Sequence, residues 1–197
     1  MNIEQFHSTC INHTQMVFNQ TKEVPATLFA LKPNGDVIML LRDFDNDEDK
    51  HFMYNMYAMI LVAEQCTMYC FMSEAWFSSH EALTEDNMDD FDLSSVPRPM
   101  DDPNRKEGVF VITTAIDDTQ LMNMFEIKTK NDQKYLSDES SSDNTKSLRD
   151  NLRLFHRLPR EKVKLEPQLL NELLNLSRPN WYMTITKENF KKVKVDA

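Results

Sequence analysis

The sequence predicts an α+β domain: a mostly antiparallel sheet, in the order β-β-α-β-β-β, packed on a central helix, with flanking N- and C-terminal helices. Three observations support this. Asn34-Gly35 sits between two apolar runs, as the turn of a hairpin does. Residues 50–65 place apolar side chains around one broad helical face, and further β-forming runs follow at 67–78, 108–116 and 121–129. The chain has 197 residues, room for one ordinary domain with an appended helical tail. Hydrophobic residues at 41% and charged residues at 27% are globular proportions, and only 2 glycines exclude collagen-like or Gly-rich linker material.

Taken in order, Ile3, Phe6, Cys10, Ile11, Thr14, Val17 and Phe18 recur at three- and four-residue spacings and predict a helix over 3–20, closed off by Pro25. The runs 26–31 and 37–42 then form a hairpin whose tight primed turn uses the positive φ that Asn34 and Gly35 tolerate. The acidic run 43–49 suits the positive end of the next helix, where Phe52, Met53, Met56, Tyr57, Met59, Ile60 and Ala63 form the apolar face. Residues 67–78 read as a buried strand. The acidic, proline-bearing segment 79–106 reads as a long loop. Strands at 108–116 and 121–129 flank the turn Asp117-Asp118-Thr119-Gln120. Residues 131–147 are polar throughout and predict a mobile loop between a core domain, 1–130, and a helical extension, 148–197. In that extension Ser147 caps one helix ended by Pro159, and Pro167 opens another through Leu169, Leu170, Leu173, Leu174 and Leu176. Residues 181–185 suggest a last strand or a strap over the core, and the lysine-rich end is expected to fray.

The formal charge is −10, and it is unevenly spread. From Asp43 to Asp102 there are 15 acidic and 2 basic residues, whereas from Lys146 to Ala197 there are 12 basic and 6 acidic ones. So acidic a chain is repelled by phosphate backbones, so direct nucleic-acid binding is not expected. An acidic body with a basic tail suits a protein partner or self-association into a homo-oligomer. No apolar run approaches the ~20 residues that cross a bilayer, and no signal-peptide pattern opens the chain. Three cysteines (Cys10, Cys66, Cys70) are too few for a disulfide framework, which points to a reduced, cytoplasmic setting without membrane contact.

Two ordered motifs stand out: Ser73-Glu74-Ala75-Trp76 at a strand end, and Pro99-x-x-Asp102-Pro103-x-Arg105-x-Glu107 leading into the next strand. With the Asn34-Gly35 hairpin and the following helix, the segment 28–129 resembles a family of uncharacterised bacteriophage and prophage proteins. The resemblance covers roughly half the chain and leaves out its helical C-terminal third. It implies a phage origin and this fold, with action in the host cytoplasm, and brings no activity with it.

Glu74 and Trp76 are two apart on a strand and so share a face, while Arg98, Arg105 and Glu107 belong to the loop that returns to the sheet. Two readings follow. A Glu74–Arg105 pair fastens the loop over the strand end, or Glu74, Trp76, Arg98, Arg105 and Glu107 form a recognition surface with Trp76 as aromatic anchor. A catalytic role for one of these carboxylates is the weakest reading.

Other constellations are poorer. Glu126-Ile127-Lys128 after Asp117 and Asp118 has the acidic-x-Lys pattern of metal-dependent nucleases, yet strand rise separates the carboxylates by roughly 20–25 Å. Asp43-x-Asp45-x-Asp47 begins like a calcium loop but has Glu48 where glycine belongs and Tyr54 where a bidentate Glu belongs. Cys66 and Cys70, expected on one strand face, find no Cys or His pair at zinc spacing, and the five histidines (His7, His13, His51, His80, His156) are scattered, so inert buried thiols are expected. Met53, Met56, Met59, Met68 and Met72 read as core filling before adaptable surface. No motif implies a cofactor or identifies a reaction. The expectation is therefore an accessory protein that binds a host or phage protein or a second copy of itself. The alternatives are a metal-dependent hydrolase or nuclease using Glu74, Glu107 or Glu126, and an acidic DNA mimic presenting residues 81–102.

Overall fold

The computed structural model describes residues 1–41, 45–77, 101–142, 154–157, 172 and 182–192. The chain runs as α1 (Ile3–Thr21), β1 (Thr27–Leu31), β2 (Val37–Leu41), α2 (Asp47–Ala63), β3 (Met68–Phe77), β4 (Lys106–Ala115), β5 (Gln120–Lys130), β6 (Gln133–Ser142), α3 (Leu154–Arg157), β7 (Tyr182–Ile185) and α4 (Lys187–Lys191). All strand pairs are antiparallel, and they form one sheet in the order β6-β5-β4-β3-β1-β2-β7. The α+β class follows directly, with helices packed against an antiparallel sheet.

The sheet is covered on both faces, where the sequence pointed to one inner face against the 50–65 helix. The reason lies in β1: Thr-Leu-Phe-Ala-Leu has no polar alternate, and all five residues are buried. Leu28 and Ala30 face α2 with Ile38, Leu40, Tyr69 and Phe71. Phe29 and Leu31 face the opposite way, into a second core with Phe6, Cys10, Phe18, Cys70, Met72, Val109 and Val111. A strand buried on both sides reads as a continuous apolar run.

Both long helices are set by their ends. Asn2 Oδ1 accepts the Gln5 N–H at 2.9 Å while Gln5 Oε1 accepts the Asn2 N–H at 3.2 Å, a reciprocal capping box for α1. Asn46 Oδ1 accepts the Asp49 N–H at 2.8 Å, and Asp47, Glu48 and Asp49 fill the first turn of α2. The acidic triplet thus complements the helix dipole, as its position predicts. Met53, Tyr54, Tyr57, Ile60 and Leu61 form the buried stripe of α2, which leaves Phe52, assigned to that face from the sequence, 59% exposed on the outer side.

Two hairpins use the same three-residue loop. Between β1 and β2 the Lys32 N–H donates to Asp36 O and the Gly35 N–H to Lys32 O; between β4 and β5 the Ala115 N–H donates to Thr119 O and the Asp118 N–H to Ala115 O. The third loop residue is left-handed in each case, Gly35 at φ 93° and Asp118 at φ 68°. The primed turn expected at Asn34-Gly35 is therefore replaced by a loop in which Gly35 alone has positive φ. Pro33 is the cause, since its ring fixes φ near −65° and favours a type I turn closed by a left-handed residue.

The mobile loop expected over 131–147 gives way to β6 over 133–142. Asn131 (φ 51°) and Asp132 (φ 60°) are both left-handed and connect the paired residues Lys130 and Gln133, a two-residue primed hairpin turn. An edge strand need not be apolar, so its serine-rich composition is compatible with pairing. Near the C-terminus, β7 pairs with β2, and Phe190 on α4 is fully buried in the α1-side core instead of fraying. In α3 the Leu154 N–H donates to Tyr69 Oη at 3.0 Å, and Phe155 meets the Tyr69 ring edge-on. The sequence-expected helix from Pro167 lies outside the described residues, apart from helical Glu172.

Candidate functional site

The strand β3 is buried from Tyr69 to Met72, and from Ser73 to Phe77 it is partly buried or exposed. Glu74 and Trp76 lie on the α1-side face, as their two-residue spacing predicts. Glu74 Oε1 accepts the Val24 N–H at 2.6 Å, so the carboxylate ties β3 to the segment leaving α1. Burial raises the Glu74 carboxyl above the usual range; the Val24 hydrogen bond opposes this, and the nearby Glu107 charge adds to it.

Trp76 is opposite Glu107 in the β3–β4 register, and Glu107 pairs with Lys134 of β6 at 3.3 Å. The Arg105 guanidinium lies over the Trp76 ring, 4.3 Å from its centroid, an ordinary cation–π geometry. Arg105 is presented by a turn built on buried Asp102, whose Oδ1 accepts the Asn104 N–H at 2.8 Å and whose carbonyl accepts the Arg105 N–H at 3.1 Å. The structure thus brings Glu74, Trp76, Arg105 and Glu107 to one strand end and adds Lys134, which no motif or spacing singles out. Arg105 stacks on Trp76, whereas the Glu74–Arg105 pair was the expected fastening. Arg98 lies outside the described residues. Trp76 remains 49% exposed under this arrangement.

Phe77, on the other face, packs over Gly108, where a Cβ would meet Phe77 Cε1 at 2.8 Å and the Phe125 carbonyl oxygen at 3.0 Å. Glycine at 108 is therefore a close-approach residue that lets the Phe77 ring reach the β4 backbone.

A second cluster is wholly internal. His7 on α1 is buried against the sheet, with Nδ1 2.7 Å from Thr113 Oγ1 and Nε2 2.5 Å from Asn123 Oδ1. Cys10, one helical turn on, and Cys70 of β3 are fully buried beside it. Burial opposes ionisation of Cys70, but hydrogen bonds from Cys10, His7 and Thr113 outweigh it and bring this thiol down to about 6. Burial pushes the Cys10 thiol up, and its contact with Cys70 pushes the same way. The expectation that Cys66 and Cys70 share a strand face is corrected: Cys66 lies in the α2-side core and Cys70 in the α1-side core. Cys66 precedes β3 and closes α2, its N–H donating to Leu61 O, so the period of two does not reach it. The signal in the sequence for this cluster is that Thr113 and Asn123 are polar residues at inward positions of strands.

Glu126 pairs with Lys106 at 3.5 Å and Lys128 at 3.9 Å, while Asp117 and Asp118 sit in the β4–β5 loop at the start of β5. Among the described residues no three His, Cys, Asp or Glu side chains form a group that could hold a metal ion. Asp47 and Asp49 serve the first turn of α2, and Met53 and Met56 fill the α2-side core while Met72 fills the other. No described helix is long and apolar enough to cross a membrane. No family model, curated protein or solved structure matches this chain.

Proposed function

We propose that this chain is an accessory protein, phage-encoded as the motif resemblance implies, that binds another protein through the exposed end of β3 and carries out no catalysis of its own. The partner is a host or phage protein met in the host cytoplasm, or a second copy of the chain. The observation that supports this reading is the stacked pair at that surface: Trp76 is half exposed, and Arg105 lies 4.3 Å above its ring. Trp and Arg are the side chains most enriched at the energetic centres of interfaces. An indole already held by strand pairing and stacking has little freedom left to lose on docking, so more of its contact energy appears as affinity. Glu74, Glu107 and Lys134 supply a polar rim in which Glu107 and Lys134 already satisfy one another.

The test is capture from nuclease-treated host lysate by the parent chain and by a Trp76→Ala/Arg105→Ala variant, alongside light-scattering masses of both. A protein captured by the parent and lost by the variant, or a parent oligomer that the variant dissolves, is the expected result. Losing the anchor should weaken binding by about 2–4 kcal/mol, a factor of roughly 30 to 1,000. Equal capture and equal mass for both chains would remove this surface from the function.

A further inference from the structure

The internal cluster joins three chain segments that are distant in sequence, and its two thiols are not equivalent. Cys10 comes from α1 and Cys70 from β3; both are fully buried, and their side chains are in hydrogen-bonding contact. Asn123 Oδ1 can only accept, so His7 Nε2 donates to it and a neutral His7 is left with a bare Nδ1. That nitrogen faces Thr113 Oγ1 at 2.7 Å, and Thr113 is directly opposite Cys70 in the β3–β4 register, so the imidazole edge and the Cys70 thiol meet at one point of the sheet. The Asn123 contact therefore sets the imidazole as a base toward the sheet, and Cys10 is the second thiol, in contact with Cys70.

We propose that Cys70 is a peroxide-reactive cysteine and Cys10 its resolving partner, so that oxidation by a hydroperoxide staples α1 to β3. In the first step the Cys70 proton passes to His7 Nδ1 and the sulfur attacks one peroxide oxygen. An S–O bond forms, the O–O bond breaks, and the leaving hydroxide takes the proton from His7 as water. Cys70 is then a sulfenic acid. In the second step the Cys10 sulfur attacks the Cys70 sulfur; the S–S bond forms, the S–O bond breaks, and hydroxide leaves with the Cys10 proton as a second water. Two thiols lose two electrons in all, and one peroxide gains them. Both sulfurs are fully buried, so hydrogen peroxide, which is small and neutral, must reach them in brief local openings of α1, and oxidation can be no faster than those openings.

The asymmetry in ionisation agrees with these roles: the lowered thiol is the attacking one, and the raised thiol stays protonated until it resolves. Cys66 provides an internal control, since it is just as buried but lies in the core on the opposite face of the sheet.

The full chain is exposed to hydrogen peroxide, quenched, alkylated in denaturant and mapped without reduction. No Lys or Arg lies between Lys50 and Arg98, so Cys66 and Cys70 share one tryptic peptide and fragmentation must place the bond. The expected product links Cys10 to Cys70, two hydrogens lighter than the thiols, with Cys66 alkylated. In Cys10→Ala, a sulfenic-acid probe such as dimedone should label Cys70 and leave Cys66 unlabelled. His7→Gln should slow Cys70 oxidation about tenfold. A bond to Cys66, equal labelling of Cys66 and Cys70, or thiols that stay free throughout would each overturn the proposal, and the first measurement needs no variant to fold.

Discussion

At the scale of single residues, titration gives one of the sharper tests of the α1-side core. His13 lies between two phenyl rings, 5.0 Å from Phe29 and 5.0 Å from Phe190, nearly parallel to the latter. Its Nε2 is buried without a hydrogen-bond partner. Burial lowers the His13 pKa from the ordinary histidine value, and a hydrogen bond to the Phe190 backbone only partly opposes this. The folded state therefore resists the proton that the unfolded chain accepts. Stability from this group is full above the unfolded value near 6.5 and is lost as pH falls below it. Partial exposure screens the effect, so acidification from pH 7.5 to 5 should lower stability at this site by a small but measurable amount. Urea unfolding of the parent and of His13→Gln at both pH values isolates it. The parent should lose more stability than the variant on acidification, and parallel losses would show that another group titrates instead.

At the scale of elements, the end of α2 is strained in a way that one substitution can relieve. The Cys66 N–H donates to Leu61 O and the Gln65 N–H to Val62 O, the paired bonds that close a helix through a left-handed residue. That residue is Gln65 at φ 53°, where glycine is usual. Left-handed backbone costs a residue with a Cβ about 1–2 kcal/mol, and glycine's extra freedom in the unfolded chain takes back part of that. Gln65→Gly should raise stability by about 0.5–1 kcal/mol, seen as a higher urea midpoint at unchanged slope; a lower midpoint would mean the Gln65 side chain holds something the backbone account omits. The same elements show what was legible beforehand. Helices α1 and α2 and strands β1 to β5 announce themselves through period and apolar content, because each buries at least one face. Strand β6 does not, because its serine-rich sequence carries no sustained apolar period, and its turn Asn131-Asp132 lacks the glycine that usually marks a primed hairpin. Glu74, Trp76 and Glu107 could be grouped from strand period and loop return. The stacking of Arg105 on Trp76, and the meeting of His7 with Thr113 and Asn123 more than 100 residues away, are tertiary facts with no local pattern.

At the scale of the whole molecule, the question is whether the two faces of the sheet unfold together. They share β1 and β3, whose successive side chains point alternately into the α2-side and α1-side cores. The two ends of the chain also meet on the α1 side: Phe190 of α4 packs 5.7 Å from Phe6 of α1 and 5.5 Å from Phe29 of β1. The Lys187 N–H donates to Asp36 Oδ1 at 3.2 Å, which fixes α4 against the β1–β2 loop. Removing the Phe190 ring leaves a cavity among rings that cannot all move inward, because β1 is held on its other face by α2. Phe190→Ala should therefore cost about 3–5 kcal/mol, a large part of the roughly 5–15 kcal/mol that holds a domain folded. Since the strands are common to both cores, the loss should appear as one earlier transition, with helix signal by circular dichroism and tryptophan fluorescence coinciding. Two separated transitions would mean that α1 and α4 can leave the sheet while α2 stays docked, and that the shared strands do not make the cores one cooperative unit.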